Sequence, residues 1–283
     1  MIPKAIHFVW VGPEMPEWVA RNIDAFRTLN PDYTVRIHGE ESLADVYRPW
    51  YEGLTEPCER ADLIRYSILE REGGWYFDTD YLPLRPIDDI VRAWRLDGRK
   101  LFIAECWESR ANPGWLGNGV LACAPGWPYW ARLRDVMART DPASRLRFGP
   151  LAIRKLVEEL PGEFVIAAEP WFNGVKAPWS TKFYRHWTAT GNVGGLERLN
   201  PRTGGQLPFA MHLWGWKYGD QLGGAPGKSQ HLGAVGDSPR SAAVLTLPGY
   251  TFGQTGSIFT ALMDGLAGNG FRVEALPYDR AAT

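Results

Sequence analysis

The sequence predicts an α/β fold built on a largely parallel sheet, and three observations carry that prediction. Residues 4–11, KAIHFVWV, form a short apolar run rich in β-branched and aromatic side chains, the composition of a buried strand. A second run, DYTVRIHG at 32–39, follows after a stretch with helical spacing. A third, WYF at 75–77, follows a longer helical stretch that ends at the double glycine 73–74. Strand and helix alternate at the interval that parallel strands need for their crossovers.

Each element has a local cause. Gly12-Pro13 breaks the first strand, and Pro16 suits the first turn of a helix in which Trp18, Ile23 and Phe26 recur near helical spacing. Asn30-Pro31 stops that helix. Helices are expected over about 40–53 and 57–72. PIDDIVRAW at 86–94 reads as a short helix, with Asp88 and Asp89 in the first turn where the helix dipole favours anions. KLFIAEC (100–106) and NGVLACAP (118–125) read as strands, the second ended by Pro125-Gly126. WPYWARLRDVMAR (127–139) and LAIRKLVEEL (151–160) read as helices. Residues 168–208 are expected to be mostly irregular, and FAMHLWGW (209–216) to be the last strand of the main domain.

From 219 to 240 the composition shifts to Gly, Ser, Pro and Ala, as in a linker. Beyond it AAVLTLP, a glycine-containing loop, IFTALMDGLAGNG and FRVEALP form one βαβ-like unit. A unit of about 40 residues cannot bury both faces. The expected organisation is therefore a main domain over 1–218, a linker over 219–242, and a segment over 243–283 that either docks as an appendage or begins a further domain. The spacing of Gly249, Gly253 and Gly256 is not a dinucleotide fingerprint, so a tight loop is the simpler reading.

Composition narrows the function. The chain has 283 residues, a hydrophobic fraction of 45% and a charged fraction of 22%, ordinary for a globular protein. A net charge of −1 argues against nucleic acid as a partner, since such binders carry a basic excess. No run approaches the roughly 20 apolar residues of a membrane span, and the N-terminus lacks the apolar core of a signal peptide. The expected location is cytoplasmic, with room for work beside a membrane. Cys58, Cys106 and Cys123 have no paired spacing, which points to buried free thiols. The 14 tryptophans suit sugar rings and nucleobases, and equally suit a core. His7, beside Phe8 in an apolar strand, reads as a core histidine, and Glu105 and Glu108 are not distinguished from surface acids.

The chemistry concentrates in residues 58–84, CERADLIRYSILEREGGWYFDTDYLPL. Asp62, Arg65 and Tyr66 stand three and four residues apart and so share a helix face, while Ala61, Ile64 and Ile68 share another. A solvated Asp–Arg pair reads equally well from the pattern. Gly73 fits a helix C-terminus with positive φ. Strand alternation would place Asp78 and Asp80 on one side, about 6.5 Å apart. Two carboxylates so close attract a divalent cation, and hard oxygen ligands suit Mg²⁺ or Mn²⁺ shared with a phosphate. A bare Asp-x-Asp arises about once by chance in such a chain. At the end of a strand in an α/β sheet it occupies the edge where ligands gather.

ADLIRYSILEREGGWYFDTD resembles the DXD region of a retaining glycosyltransferase family that includes yeast initiation α-mannosyltransferases, capsule-type transferases and clostridial glucosylating toxins. IPKAIHFVWVG is similar to that family's first strand, HFVW most to the toxins, and Asn118, FGPLAI (148–153) and MHLWGW (211–216) agree more loosely. The resemblance covers about 1–218 and implies an A-type, Rossmann-like fold with a mixed, mostly parallel sheet flanked by helices. It implies that Trp10 stacks on the nucleobase with the Val9 backbone at its edge. Asp62 and Arg65 would hold sugar hydroxyls, Tyr76 would lie near the ribose, and Asn118 would belong to the donor site. Asp80 would ligate the metal, with Asp78 bridging ribose, sugar or metal-bound water. His212 matches a metal-ligating histidine of many transferases of this fold, although the toxins place other residues there. Trp214 and Trp216 would close over the diphosphate or acceptor, or pack at a strand end. The catalytic set implied is Asp78, Asp80 and Arg65.

The implied reaction is metal-dependent, retaining transfer of a hexose to a carbohydrate or glycosylated acceptor. UDP-hexose is the first expected donor and GDP-mannose the second. The 243–283 unit is similar in pattern to the opening of B-type glycosyltransferase domains, so a further domain or subunit is an expected partner. A binding subunit without transferase activity, or one module of a bifunctional transferase, is the alternative.

Overall fold

The computed structural model describes residues 1–12, 14–105, 116–144, 146–175, 179–190, 201–204, 206–215, 240–241 and 271–272. Strands β1 (Ala5–Val9), β2 (Thr34–His38) and β3 (Gly74–Phe77) alternate with helices α1 (Glu17–Leu29), α2 (Arg48–Tyr51) and α3 (Pro57–Glu72). After β4 (Tyr81–Pro83) come α4 (Ile87–Trp94), β5 (Leu101–Glu105), β6 (Leu116–Cys123), α5 (Trp130–Arg139), α6 (Pro150–Glu159), β7 (Phe164–Ala167), α7 (Trp179–Thr190) and β8 (Ala210–His212). The main sheet runs β2-β1-β3-β6-β5-β7. β1 pairs in parallel with β2 and β3, and β5 with β7, while β6 is antiparallel to both its neighbours. The expected mixed, mostly parallel sheet flanked by helices is the one observed.

Alternation divides the sheet into two cores. Ile6, Phe8, Trp75 and Phe77 pack with α1, α4 and β8, while Val9, Tyr76, Leu121 and Ile103 pack with α3, α5 and α6. Side chains two residues apart share a face, so β1, β3, β5 and β6 feed both cores. The middle of α3 is not polar-faced: Asp62, Leu63, Ile64, Arg65, Tyr66, Ser67, Ile68 and Leu69 are all buried. A helical stretch buried on every side has no solvated stripe, so Asp62 and Arg65 must find partners inside.

Three expectations are corrected. The helix expected over 40–53 is two short 3₁₀ turns, Glu40–Ser42 and Asp45–Tyr47, followed by α2; Leu43 and Ala44 interrupt it in extended backbone. Residues 168–208 include α7, and 209–216 supply the expected strand as β8, which among the described residues pairs with β4 rather than joining the six-stranded sheet. Cys123 is buried, its thiol pushed up to about 12 by burial, but Cys58 is exposed; Cys106 lies outside the described residues.

By contact density the chain divides into two units, Met1–Gly227 and Lys228–Thr283. In the second, β9 (Arg240–Ser241) and β10 (Phe271–Arg272) pair in parallel. The expected helix and glycine loop there, and residues 219–239 of the expected linker, lie outside the described residues. Among the described residues no helix is long and apolar enough to cross a membrane.

His7 is a core histidine with a consequence. It is fully buried, and its Nδ1 lies 2.9 Å from Nε2 of His38, whose Nδ1 lies 2.9 Å from the Ser42 hydroxyl. Burial, then the neighbouring His38, lower the His7 pKa to about 4. The unfolded chain therefore takes up a proton below about pH 6.5 that the native state refuses until about pH 4. Stability is full above that window and is expected to fall by about 3 kcal/mol across it. Urea midpoints at pH 7.5 and 5 check this, and His7→Gln should flatten the slope.

Candidate active site

The C-terminal edge of β1 and β3, together with the start of β6, carries the site. α3 opens with Pro57, whose fixed φ suits the first turn. It stops at Gly73, where φ is +63°, a conformation that costs glycine little. Between these ends, Asp62 and Arg65 project one turn apart. Arg65 Nη2 reaches Asp62 Oδ1 at 3.0 Å and Asp78 Oδ1 at 3.1 Å, and Arg65 Nη1 donates to the Asn118 carbonyl at 2.5 Å. Asn118 Nδ2 donates to Asp62 Oδ1 at 2.7 Å and to the Tyr66 hydroxyl at 3.1 Å. The Arg65 side chain is 4% exposed, so this is no solvated pair.

One guanidinium thus joins two carboxylates and a backbone carbonyl in a low-dielectric setting. Burial pushes the Asp62 carboxyl up to about 6, with Arg65 and Asn118 pulling the other way. Asp78, Tyr76 and Asp62 outweigh the burial of Arg65 and raise its pKa, so it stays a cation. Tyr76 is buried, with the guanidinium 4.5 Å above its ring and its hydroxyl donating to Asp78 Oδ1 at 2.7 Å. It supports Asp78 from within the core.

The two acids of DTD do not obey strand alternation. β3 ends at Phe77, and Asp78-Thr79-Asp80-Tyr81 is a turn in which the Tyr81 N–H donates to the Asp78 carbonyl at 3.1 Å. The turn sends the carboxylates to different partners. Asp78 meets Arg65 and Tyr76 on the α3 side, and Asp80 meets β8.

β4 and β8 build the Asp80 corner. Tyr81 stands opposite His212 in their antiparallel register, and the Leu213 N–H donates to the Asp80 carbonyl at 2.7 Å. Asp80 Oδ2 then lies 3.1 Å from His212 Nε2 and accepts the Gly215 N–H at 2.8 Å. Burial opposes ionisation of Asp80, but the His212 ring and the two hydrogen bonds outweigh it and hold the carboxyl below its ordinary value. Neighbouring ligand atoms around an octahedral Mg²⁺ lie about 3 Å apart. The Asp80–His212 spacing therefore fits two adjacent positions of one divalent ion. Among the described residues no group of three or more His, Cys, Asp or Glu side chains is gathered for a metal, so the structure brings together Asp80 and His212 of the expected ligands, not Asp78.

The remaining expected residues divide as follows. Val9 is buried at the end of β1. Trp10 is half-buried, follows β1 at the same sheet edge as Asp78, and its N–H donates to the His38 carbonyl at 2.9 Å. The Trp214 ring lies 4.2 Å from that of His212. Trp216 lies outside the described residues, as does Glu108.

Sequence reasoning missed two glycines whose missing Cβ makes room for the acids. A Cβ on Gly119 would lie 2.6 Å from Asp78 Oδ2 and 3.1 Å from Tyr81 Cε2, and one on Gly149 would lie 2.6 Å from Asp62 Oδ2. The signals were Gly117-Asn118-Gly119 at a strand start and Gly149 before the first proline of α6. Gly119→Ala is expected to force Asp78 away from Arg65 and to cost about 1–3 kcal/mol, measurable by urea denaturation.

With this geometry in hand, comparison with known proteins is specific. Residues 16–96 match the family described as a glycosyltransferase sugar-binding region containing a DXD motif. The match is confined to that segment. The matched region spans α1 to α4 and contains Asp62, Arg65, Asp78 and Asp80. Inositol phosphoceramide mannosyltransferase 3 of Schizosaccharomyces pombe is 32% identical over 136 residues, 45% of this chain and 35% of that protein. Mannosyl phosphorylinositol ceramide synthase CSH1 of Saccharomyces cerevisiae is 27% identical over 141 residues, 47% of this chain and 34% of that protein. The chain thus spans about a third of the length of these relatives. The UDP-bound glycosyltransferase domain of the YGT toxin overlays with a TM-score of 0.44 at 11% identity, over 70% of this chain and 88% of that one. At that level the likeness is one of outline, and no residue is transferred from it.

Proposed function

We propose that the main domain is a metal-dependent, retaining glycosyltransferase that moves a hexose from a nucleotide sugar to a carbohydrate or glycosylated acceptor. The observation that carries this reading is the placement of the Asp62–Arg65–Asp78 network and the Asp80–His212 corner on the two sides of one DXD turn. Asp62 and Arg65 hold sugar hydroxyls, because a carboxylate and a rigid guanidinium fork together match paired hydroxyls. Asp78, held by Arg65 and Tyr76, orients the ribose or sugar next to them. Trp10, at the end of β1, offers its ring to the nucleobase. Asp80 and His212 hold Mn²⁺ or Mg²⁺. Bound there, the ion supplies positive charge against the departing diphosphate, whose charge grows in the transition state. The retaining outcome follows from the family resemblance and requires no protein nucleophile.

The donor sugar is assigned as a hexose. HFVW favours UDP-hexose, whereas the names of the yeast relatives favour a mannosyl donor. A panel of GDP-mannose, UDP-glucose and UDP-galactose with Mn²⁺, scored by nucleotide release, separates the two. Release from one donor, abolished by chelation, is expected. A protein that neither binds nor turns over any of them overturns the reading.

A further inference from the structure

Outside the donor network, a chain of polar and aromatic contacts ends on the His212 ring. Tyr81 is buried and stacks flat on His212, with centroids 4.7 Å apart and planes 7° from parallel. The Tyr81 hydroxyl donates to Asn173 Oδ1 at 2.8 Å, and Asn173 Nδ2 donates to the Glu105 carbonyl at 2.7 Å. Asn173 is itself 2% exposed. The same segment holds β8 from its other side, since the His212 N–H donates to the Phe172 carbonyl at 3.3 Å and the Phe209 N–H to the Trp171 carbonyl at 2.9 Å. The backbone of His212 is therefore fixed by β4 on one side and by residues 171–172 on the other. The ring itself meets Asp80 Oδ2 at 3.1 Å and the tilted Trp214 ring at 4.2 Å, and Tyr81 is the partner that lies flat against its face.

We propose that Tyr81 is a positioning residue, tied through Asn173 to the end of β5, that sets the plane of the His212 ring so that Nε2 faces Asp80. This inference rests on the reading of Asp80 and His212 as metal ligands. A ligand atom is useful only when its lone pair points at the ion, and groups behind metal ligands typically alter affinity 10–100-fold when removed. Tyr81 is suited to the task. It follows Asp80 directly, it faces His212 in register, and its hydroxyl has a buried partner that stops the ring from tilting. Gly119 leaves the ring its place, since a Cβ there would press on Cε2.

The test uses the full chain without donor, with Mn²⁺ binding followed by the electron paramagnetic resonance of the free ion. Tyr81→Leu is expected to weaken binding about tenfold, and Tyr81→Phe, which keeps the ring and drops the bond to Asn173, by less. In a His212→Ala background, Tyr81→Leu is expected to change affinity less than about twofold, because the group it acts through is gone. Equal weakening in both backgrounds would show a general structural role and overturn the proposal. So would unaltered Mn²⁺ binding by folded Tyr81→Leu. Should the leucine variant not fold, Tyr81→Phe and Asn173→Ala carry the same comparison. A crystal structure of the metal-free Tyr81→Leu protein reads the geometry directly: His212 Nε2 turned from Asp80 supports the proposal, and an unchanged ring plane overturns it. Absence of Mn²⁺ binding by the unaltered protein would instead refute the metal reading, leaving that structure to decide the role of Tyr81.

Discussion

Replacing Asp80 with alanine is expected to reduce nucleotide release from a sugar-nucleotide donor by about a thousandfold or more. The size follows from position. Asp80 is the residue on which His212 and the Gly215 N–H converge, and on the proposed reading its removal would leave His212 as the lone metal ligand. Charge on a departing diphosphate would then be met by water in place of a fixed cation, and the barrier would rise. Asp80→Asn separates charge from geometry, since its carbonyl oxygen still accepts the Gly215 N–H. A stable Asp80→Asn protein with lost activity supports the role in chemistry. Undiminished, metal-independent turnover by Asp80→Ala would sink it. The assay is donor hydrolysis or transfer with and without Mn²⁺.

Arg65→Met is expected to have the largest effect on stability, a loss of about 3–5 kcal/mol. The guanidinium is shared by Asp62, Asp78 and the Asn118 carbonyl, so methionine leaves acids desolvated with no cation between them. Lysine should rescue poorly, because one ammonium cannot reproduce the fork. The pH dependence has a definite sign. Asp62 already titrates at about 6 through burial, and loss of Arg65 raises it further. A carboxyl whose native pKa exceeds its unfolded value binds more protons when folded, so stability falls as pH rises toward the native pKa. Arg65→Met should therefore be less impaired near pH 5 than near pH 8. Denaturant unfolding at the two pH values measures this.

The elements legible in the sequence were those with local causes. α3 was bounded by Pro57 and Gly73, and the apolar runs of β1, β2, β5 and β6 read directly. What failed depended on distant partners. FAMHLWGW reads as the last strand of the main domain and supplies one, but which strand it joins is decided only by the antiparallel match of Ala210–His212 to Tyr81–Pro83. The polar residues of α3 look like a surface stripe because nothing nearby reveals that Asn118 and Asp78 will surround Arg65. The Asp-x-Asp spacing suggested a strand, and the Tyr81-to-Asp78 hydrogen bond makes it a turn. The acids themselves were legible through the family resemblance; their separation into two sets of partners was not.

The pairing of β4 with β8 also bears on the order in which the molecule comes together. The helix α3 and the DTD turn lie within 57–81, but His212 lies 132 residues beyond Asp80. Closing a loop of that length costs about 4 kcal/mol of chain entropy before any contact is gained. The helix and turn are therefore expected to precede the corner on the folding route, and on a ribosome the corner must wait until β8 has emerged. A nascent chain would carry Asp62, Arg65, Asp78 and Asp80 long before it could bring His212 to them.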